Sequence, residues 1–164
     1  MIRLQLVLSL QKKFQQIGKI QYTKTEKKMS RFSLKSNYVV TGGTKGIGLA
    51  IVQSILINGS STRVLLCART EKDVVDTVQM LNKEYVSLEE SRPRVIGISC
   101  DVASEDGRQK LLDTAKDCFD GVVDGLVNNV GMNIRRPVGE QTMEEYTRMM
   151  STNVDSGEWL YGMD

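Results

Sequence analysis

The sequence predicts an α/β fold with a parallel sheet flanked by helices. Three observations predict it: from residue 37 short β-branched runs alternate with helix-period segments, a glycine-rich turn follows the first run, and the strand candidates are apolar enough to be covered on both faces. The 164 residues, with 40% apolar and 26% charged side chains and two prolines, allow one globular core.

The strand candidates are 38–41, 63–67, 95–100 and 122–128. After the first, Ile47, Ala50, Ile51, Ser54 and Ile55 fall on one helical face, and Asn58-Gly59 ends that helix. Thr70 is a candidate N-cap for a second helix with an inward stripe of Val74, Val78, Leu81 and Tyr85. A third helix follows Ser104, with Leu111, Leu112, Ala115, Cys118 and Phe119 inward, and a fourth opens on the capping box Thr142-Met143-Glu144-Glu145. Tyr146, Met149, Met150 and Asn153 share a face of that last helix, which directs Asn153 to the core. Right-handed crossovers and the strand order 3-2-1-4 follow for such a chain.

Charge is unevenly distributed. Residues 1–28 carry seven Lys/Arg against Glu26, so they hold +6 of a chain whose net charge is +2, and the remainder is −4. A nucleic-acid partner needs a basic face on the folded part, and a mildly acidic domain argues against one. No apolar run approaches the ~20 residues that span a bilayer. Three widely spaced cysteines, Cys67, Cys100 and Cys118, read as reduced core thiols of a cytoplasmic protein. The alternative is an organelle, if residues 1–28 are a transit peptide; equally, Met29 is a plausible second start. With no histidine in the chain, a zinc site lacks its usual nitrogen ligands and Ser-His-Asp chemistry is excluded. No metal site is expected. Residues 1–36 are therefore expected to be a basic, poorly ordered leader.

Chemistry concentrates in the octapeptide Thr41-Gly42-Gly43-Thr44-Lys45-Gly46-Ile47-Gly48, at a strand-to-helix turn. Glycines there allow positive φ and let a pyrophosphate approach the N–H groups of a helix N-terminus. Ile51 stands where a G-x-G-x-x-G fingerprint has its third glycine, and Leu49 follows Gly48 where a P-loop has lysine, so neither of those motifs is present. A glycine turn without ligand is the competing reading. The second strand ends at Cys67-Ala68-Arg69; an acid at that place would hold a ribose hydroxyl, whereas a guanidinium there, with Lys45 nearby, suits a 2′-phosphate. Arg69 as a solvated residue ahead of a helix cap is the alternative.

The T-G-x-x-x-G-x-G turn, Asp101-Val102 after the third strand, Asn128-Asn129-Val130-Gly131 after the fourth and Asn153 in the next helix stand in the order found in short-chain dehydrogenases/reductases, which this chain resembles. Arg31-Phe32-Ser33-Leu34-Lys35 and Cys67-Ala68-Arg69 are most similar to the tropinone reductase-like branch. The resemblance implies a Rossmann-type domain over 37–156 that binds NADP(H) through Gly42, Thr44, Lys45, Gly46, Ile47, Gly48, Arg69, Asp101, Val102, Asn128, Asn129 and Gly131. It also implies a carbonyl or alcohol substrate and a supporting catalytic role for Asn153. Asp101 as a cap for the third helix, Asn128 and Asn129 as turn formers, and Asn153 as a C-terminal helix cap remain open.

The family's acid/base Tyr with Lys four residues on, and its Ser, have no counterpart: Tyr22, Tyr38, Tyr85 and Tyr146 meet Glu26, Gly42, Glu89 and Met150 at that spacing. Ser156-Gly157-Glu158 is expected to interrupt the last helix, with 157–164 a divergent tail. The expectation is then a truncated, inactive form of an oxidoreductase lacking the later strands, or a non-catalytic module that binds NADP or a partner. Strand four would be an open, apolar edge through which the chain associates.

Overall fold

The computed structural model describes residues 36–85, 92–137 and 139–161. The chain divides into Met1–Phe32 and Ser33–Asp164, and every described element belongs to the second unit. The expectations for the basic leader, for Met29 and for residues 31–35 lie outside the described residues, as do positions 162–164.

Four strands and the helices between them alternate as the sequence pattern predicts. They are β1 Asn37–Thr41, α1 Gly46–Asn58, β2 Arg63–Ala68, α2 Glu71–Tyr85, β3 Val95–Ser99, α3 Glu105–Phe119 and β4 Gly125–Val127. A last helical stretch runs through α4 Met143–Met150, a π-helical turn Ser151–Asp155 and α5 Ser156–Tyr161. All strand pairs are parallel, in the order β3-β2-β1-β4, with Thr41 opposite Cys67, Val40 opposite Val127 and Ala68 opposite Ser99.

Because side chains alternate along a strand, the sheet builds two separate cores. One face carries Val40, Val64, Leu66 and Val95, packed under Val52, Ile55 and Leu56 of α1 and Val74 and Leu81 of α2. The opposite face carries Val39, Leu65 and Cys67, packed under Leu111, Ala115 and Phe119 of α3, with Leu160 of α5 in the same cluster. Burying each of these large side chains contributes about 1.5–3 kcal/mol, so neither layer is dispensable.

Three details differ from the sequence reading. The inward face of α1 is Gly48, Val52, Ile55 and Leu56, while Ile47 is 75% exposed and Ala50 and Ser54 face solvent. This helix is apolar on nearly every side, so its periodicity does not select a face; the close packing of Gly48 on the turn before it does. Strand four begins at Gly125, three residues later than predicted, because Asp120 (φ 54°) and Gly121 (φ 78°) cap α3 in the left-handed region. Val122 and Val123 then lie exposed in the connection, whose end is latched: Asp124 Oδ2 accepts from the N–H groups of Ser36 and Asn37, both at 3.0 Å. Finally, Ser156-Gly157-Glu158 does not interrupt the last helix, which continues to Tyr161. Thr142 and Glu145 form the predicted capping box, and the Thr142 N–H together with Arg136 holds the Glu145 carboxyl below its ordinary range.

One buried cation organises the sheet's lower end. Arg94, 7% exposed, donates from Nε to Thr62 O (2.9 Å), from one terminal nitrogen to Tyr85 O (3.1 Å), and from the other to Leu56 O (3.1 Å), Gly59 O and Thr62 Oγ1 (3.0 Å). Leu56, Gly59 and Tyr85 sit at the C-terminal ends of α1 and α2, where helices leave carbonyls without intrahelical partners and concentrate negative partial charge. The guanidinium therefore caps two helices at once, through acceptors that are all neutral among the described residues.

Among the described residues no helix is long and apolar enough to cross a membrane, and no group of His, Cys, Asp and Glu is placed to hold a metal.

Candidate functional site

The site is built where β1 and β4 end side by side. Thr41, 2% exposed, joins them: its hydroxyl donates to Val127 O (3.3 Å) and accepts from the N–H groups of Asn129 (3.0 Å) and Val130 (3.1 Å). In return Asn129 Nδ2 donates to Thr41 O (3.0 Å) and Gly42 O (3.3 Å), so one amide fixes the start of the glycine turn. The turn-forming alternative for Asn129 is thus observed, but as a brace between strands. Asn128 is exposed and donates from Nδ2 to Gly157 O (3.4 Å), tying the end of β4 to α5.

The turn itself needs glycine where φ is positive, at Gly42 (67°) and Gly46 (57°), and where the backbone is crowded. A Cβ on Gly48 would stand 2.1 Å from Gly42 O and 2.6 Å from Asn129 Nδ2, so no other residue fits. Lys45, extended, precedes α1 without a side-chain cap, and no acid occupies the first turn. The helix consequently presents uncapped N–H groups and the positive end of its dipole beside the turn.

On the far side, Arg69 is exposed, and among the described residues its guanidinium has no hydrogen bond or ion pair. Asp101 is exposed and makes an Asx turn, Oδ1 accepting from Ala103 N–H (3.1 Å), while its carbonyl accepts from Ser104 N–H and Oγ. The capping of α3 belongs to Ser104, whose Oγ accepts from Gly107 N–H (3.1 Å). Val102 is buried in the core packed under α3 yet still reaches the site.

Asn153 departs from expectation. It is exposed and does not point into the core: Oδ1 accepts from Met132 N–H (2.7 Å) and Nδ2 donates to Met132 O (2.8 Å). The π-helical turn shifts the phase of residues after Met150, and the supposed core face is itself open, with Tyr146 49% exposed. Nor is Asn153 a helix cap, since helix continues on both sides.

These elements enclose a cleft of about 420 Å³. Of the residues singled out from sequence, Gly42, Thr44, Lys45, Arg69, Asp101, Val102, Asn129 and Gly131 line it, whereas Gly46, Ile47, Gly48, Asn128 and Asn153 stand behind or beside it. The sequence reading missed Cys67 and Cys100, which also border it, and Arg148, Ser151 and Thr152. The last three stand at i, i+3 and i+4, so the turn of helix before Asn153 already placed them on one face. Three cations of the lining, Lys45, Arg69 and Arg148, face two acids, Asp73 and Asp101, which leaves the cleft net positive.

The short chain dehydrogenase family model matches residues 36–161. A chloroplastic tropinone reductase homolog from Arabidopsis thaliana is 40% identical over 127 residues, which are 77% of this chain and 37% of that protein. A second tropinone reductase homolog of the same plant is also 40% identical over 127 residues, covering 45% of its own length. Among solved structures, L-sorbose reductase from Gluconobacter frateurii, complexed with NADPH and L-sorbose, superposes with a TM-score of 0.69 at 25% identity over 78% of this chain and 45% of that one. The chain therefore spans less than half the length of the relatives it matches.

Proposed function

The chain belongs to the short-chain dehydrogenase family, and from that membership we propose that its folded unit is the nucleotide-binding portion of an NADP(H)-dependent oxidoreductase acting on a ketone or secondary alcohol. The observation that carries the reading is the cleft, with a helix N-terminus that has no side-chain cap on one wall and the exposed Arg69 guanidinium on another. Both favour anions, and β2 ends without the acid that a ribose hydroxyl would require.

In this reading Gly42 and Gly48 keep the turn tight, and the N–H groups around Thr44, Lys45, Gly46 and Ile47 bind the pyrophosphate. Arg69 and Lys45 hold the 2′-phosphate. Asp101 and Val102 border the adenine, while Asn128, Asn129 and Gly131 shape the path toward the nicotinamide. The bound cofactor supplies or accepts the hydride; the residues of this chain bind and orient it. Asn153 is a positioning residue, holding the Met132 peptide at the mouth of the cleft. The NADPH in the crystallised sorbose reductase supports the choice of cofactor.

The test is Arg69→Ala. A charge-assisted hydrogen bond to phosphate is worth roughly 1.5–3 kcal/mol, so calorimetry should show NADPH binding weakened about tenfold to a hundredfold with NADH barely changed. Equal loss for both nucleotides would mean that Arg69 acts through the fold.

For location we infer the cytoplasm, from three free cysteines. Import into an organelle is the alternative, supported by the basic residues 1–28 and the chloroplastic relative; the N-terminal sequence of the protein taken from cells separates the two.

A second reading, a non-catalytic module that binds NADP or a partner, draws on β4. This strand is the last in the sheet, and beside it runs a groove of about 240 Å³ lined mainly by apolar side chains, among them Val39, Leu111, Val123 and Leu126. An open edge next to apolar surface favours association. Leu126 already packs on the core, so the informative change is Val123→Lys, at the 43% exposed rim, which should reduce self-association. A wild-type protein that stays monodisperse in light scattering at about tens of micromolar would remove this reading.

A further inference from the structure

We propose that Cys67 and Cys100 form a redox-sensitive modification site in the cleft, a thiol pair that a small disulfide such as oxidised glutathione converts to an intramolecular disulfide. The proposal rests on where two neighbouring strands end. Cys67 is opposite Ile98 in the β2–β3 ladder, and Cys100 follows two residues later, its N–H still paired to Ala68 O at 3.0 Å. Residues 98 and 100 share a face, so both sulfurs lie on the same side of the sheet. Both belong to the core packed under α3 and both border the cleft, which offers a route to otherwise buried thiols. Both are free.

The pair is also polarised. The Cys100 thiol beside it, together with burial, holds Cys67 well above the ordinary thiol range. The Cys67 thiol in turn brings Cys100 down, helped by Lys110 and opposed by burial and Asp101. Cys100 is the more exposed of the two, at 8% against 1%. It is thus the attacking sulfur, since the thiolate is the nucleophile.

The Cys100 thiolate attacks one sulfur of glutathione disulfide, forming a Cys100–glutathione bond and expelling one glutathione thiolate. Cys67 then attacks the Cys100 sulfur, its proton passing to the second departing glutathione. Two protein thiols are oxidised, and one small disulfide is reduced to two thiols. That bound nucleotide shields the pair rests on the functional reading above; the exchange itself does not.

The experiment treats the full chain with glutathione disulfide and maps peptides under non-reducing conditions. A Cys67–Cys100 linked peptide, with Cys118 left free, is the expected result, and Cys67→Ser should halt at a mixed disulfide on Cys100. NADPH at about ten times its Kd should slow the reaction roughly tenfold, by simple competition for the open cleft. Failure of the linkage to form in the folded wild type, or earlier modification of Cys118, overturns the proposal without needing any variant. If calorimetry shows NADPH bound and the rate is unchanged, the thiols are reached by another route and their placement as a site of the cleft falls. If the disulfide forms but NADPH does not bind, the thiol site stands and the nucleotide reading falls.

Discussion

Replacing Arg94 with methionine is expected to lower the stability of the folded unit by at least about 3 kcal/mol, a large share of the roughly 5–15 kcal/mol that a domain of this kind has. Methionine matches the apolar part of the side chain but supplies no donor. The carbonyls of Leu56, Thr62 and Tyr85 then lose the guanidinium that satisfies them, while Gly59 O keeps the Thr62 hydroxyl and N–H, and each buried acceptor left without a partner costs about 1–3 kcal/mol. Lysine should restore only part, because its compact ammonium cannot fork toward acceptors on both helix ends. Urea denaturation checks this: with m near 1–3 kcal/mol/M, the midpoint should fall by about 1 M or more. A fall of only about a tenth of that would mean the carbonyls find water or other donors.

The second large effect is an absence of turnover. The 164-residue polypeptide is expected to bind NADPH yet show no ketone-dependent oxidation of it, because no Tyr-x-x-x-Lys occurs in its sequence. General acid/base catalysis alone contributes about 10²–10⁴-fold, and among the described residues the cleft lining offers neither a tyrosine nor a histidine to replace it. The measurement is absorbance of NADPH with a panel of ketones. Sustained, ketone-dependent oxidation by the purified polypeptide would show that another group carries the proton.

Much of this was legible in the chain, for identifiable reasons. The alternation of β-branched runs with helical periods located the four described strands, β4 three residues too early, and the order 3-2-1-4 came with the Rossmann-type fold that the motifs implied. The glycine turn announced itself because Gly42 and Gly48 answer to local geometry, a positive φ and a 2.1 Å approach to the backbone six residues earlier. Asn153 was misdirected because helical phase was extrapolated through a π-helical turn whose i→i+5 bonding leaves no mark in hydrophobic periodicity. The face of α1 was misassigned because apolar residues surround that helix. Arg94 was invisible for a different reason. A lone arginine before a strand resembles a solvated residue, and its role arises only when two helix ends and the 59–62 connection converge on it. Cys67 and Cys100 were recognised as core thiols, but their proximity depends on strand register, which spacing in sequence does not encode.

The Asp124 latch and the Thr41–Asn129 brace bear on the order in which the molecule assembles. The β1–β2 and β2–β3 pairings join segments linked by one helix, whereas the bonds from β1 to the β4 region span 87 and 88 residues. Closing that longer loop costs about 1 kcal/mol more in chain entropy, and contacts of high sequence separation form slowly. The three-stranded β3-β2-β1 ribbon is therefore the early folding unit, and β4 docks onto it last. Since Asn129 sets the glycine turn only after that docking, the cleft is completed in the final step of folding, and a chain arrested before it would hold most of the sheet but have no finished cleft.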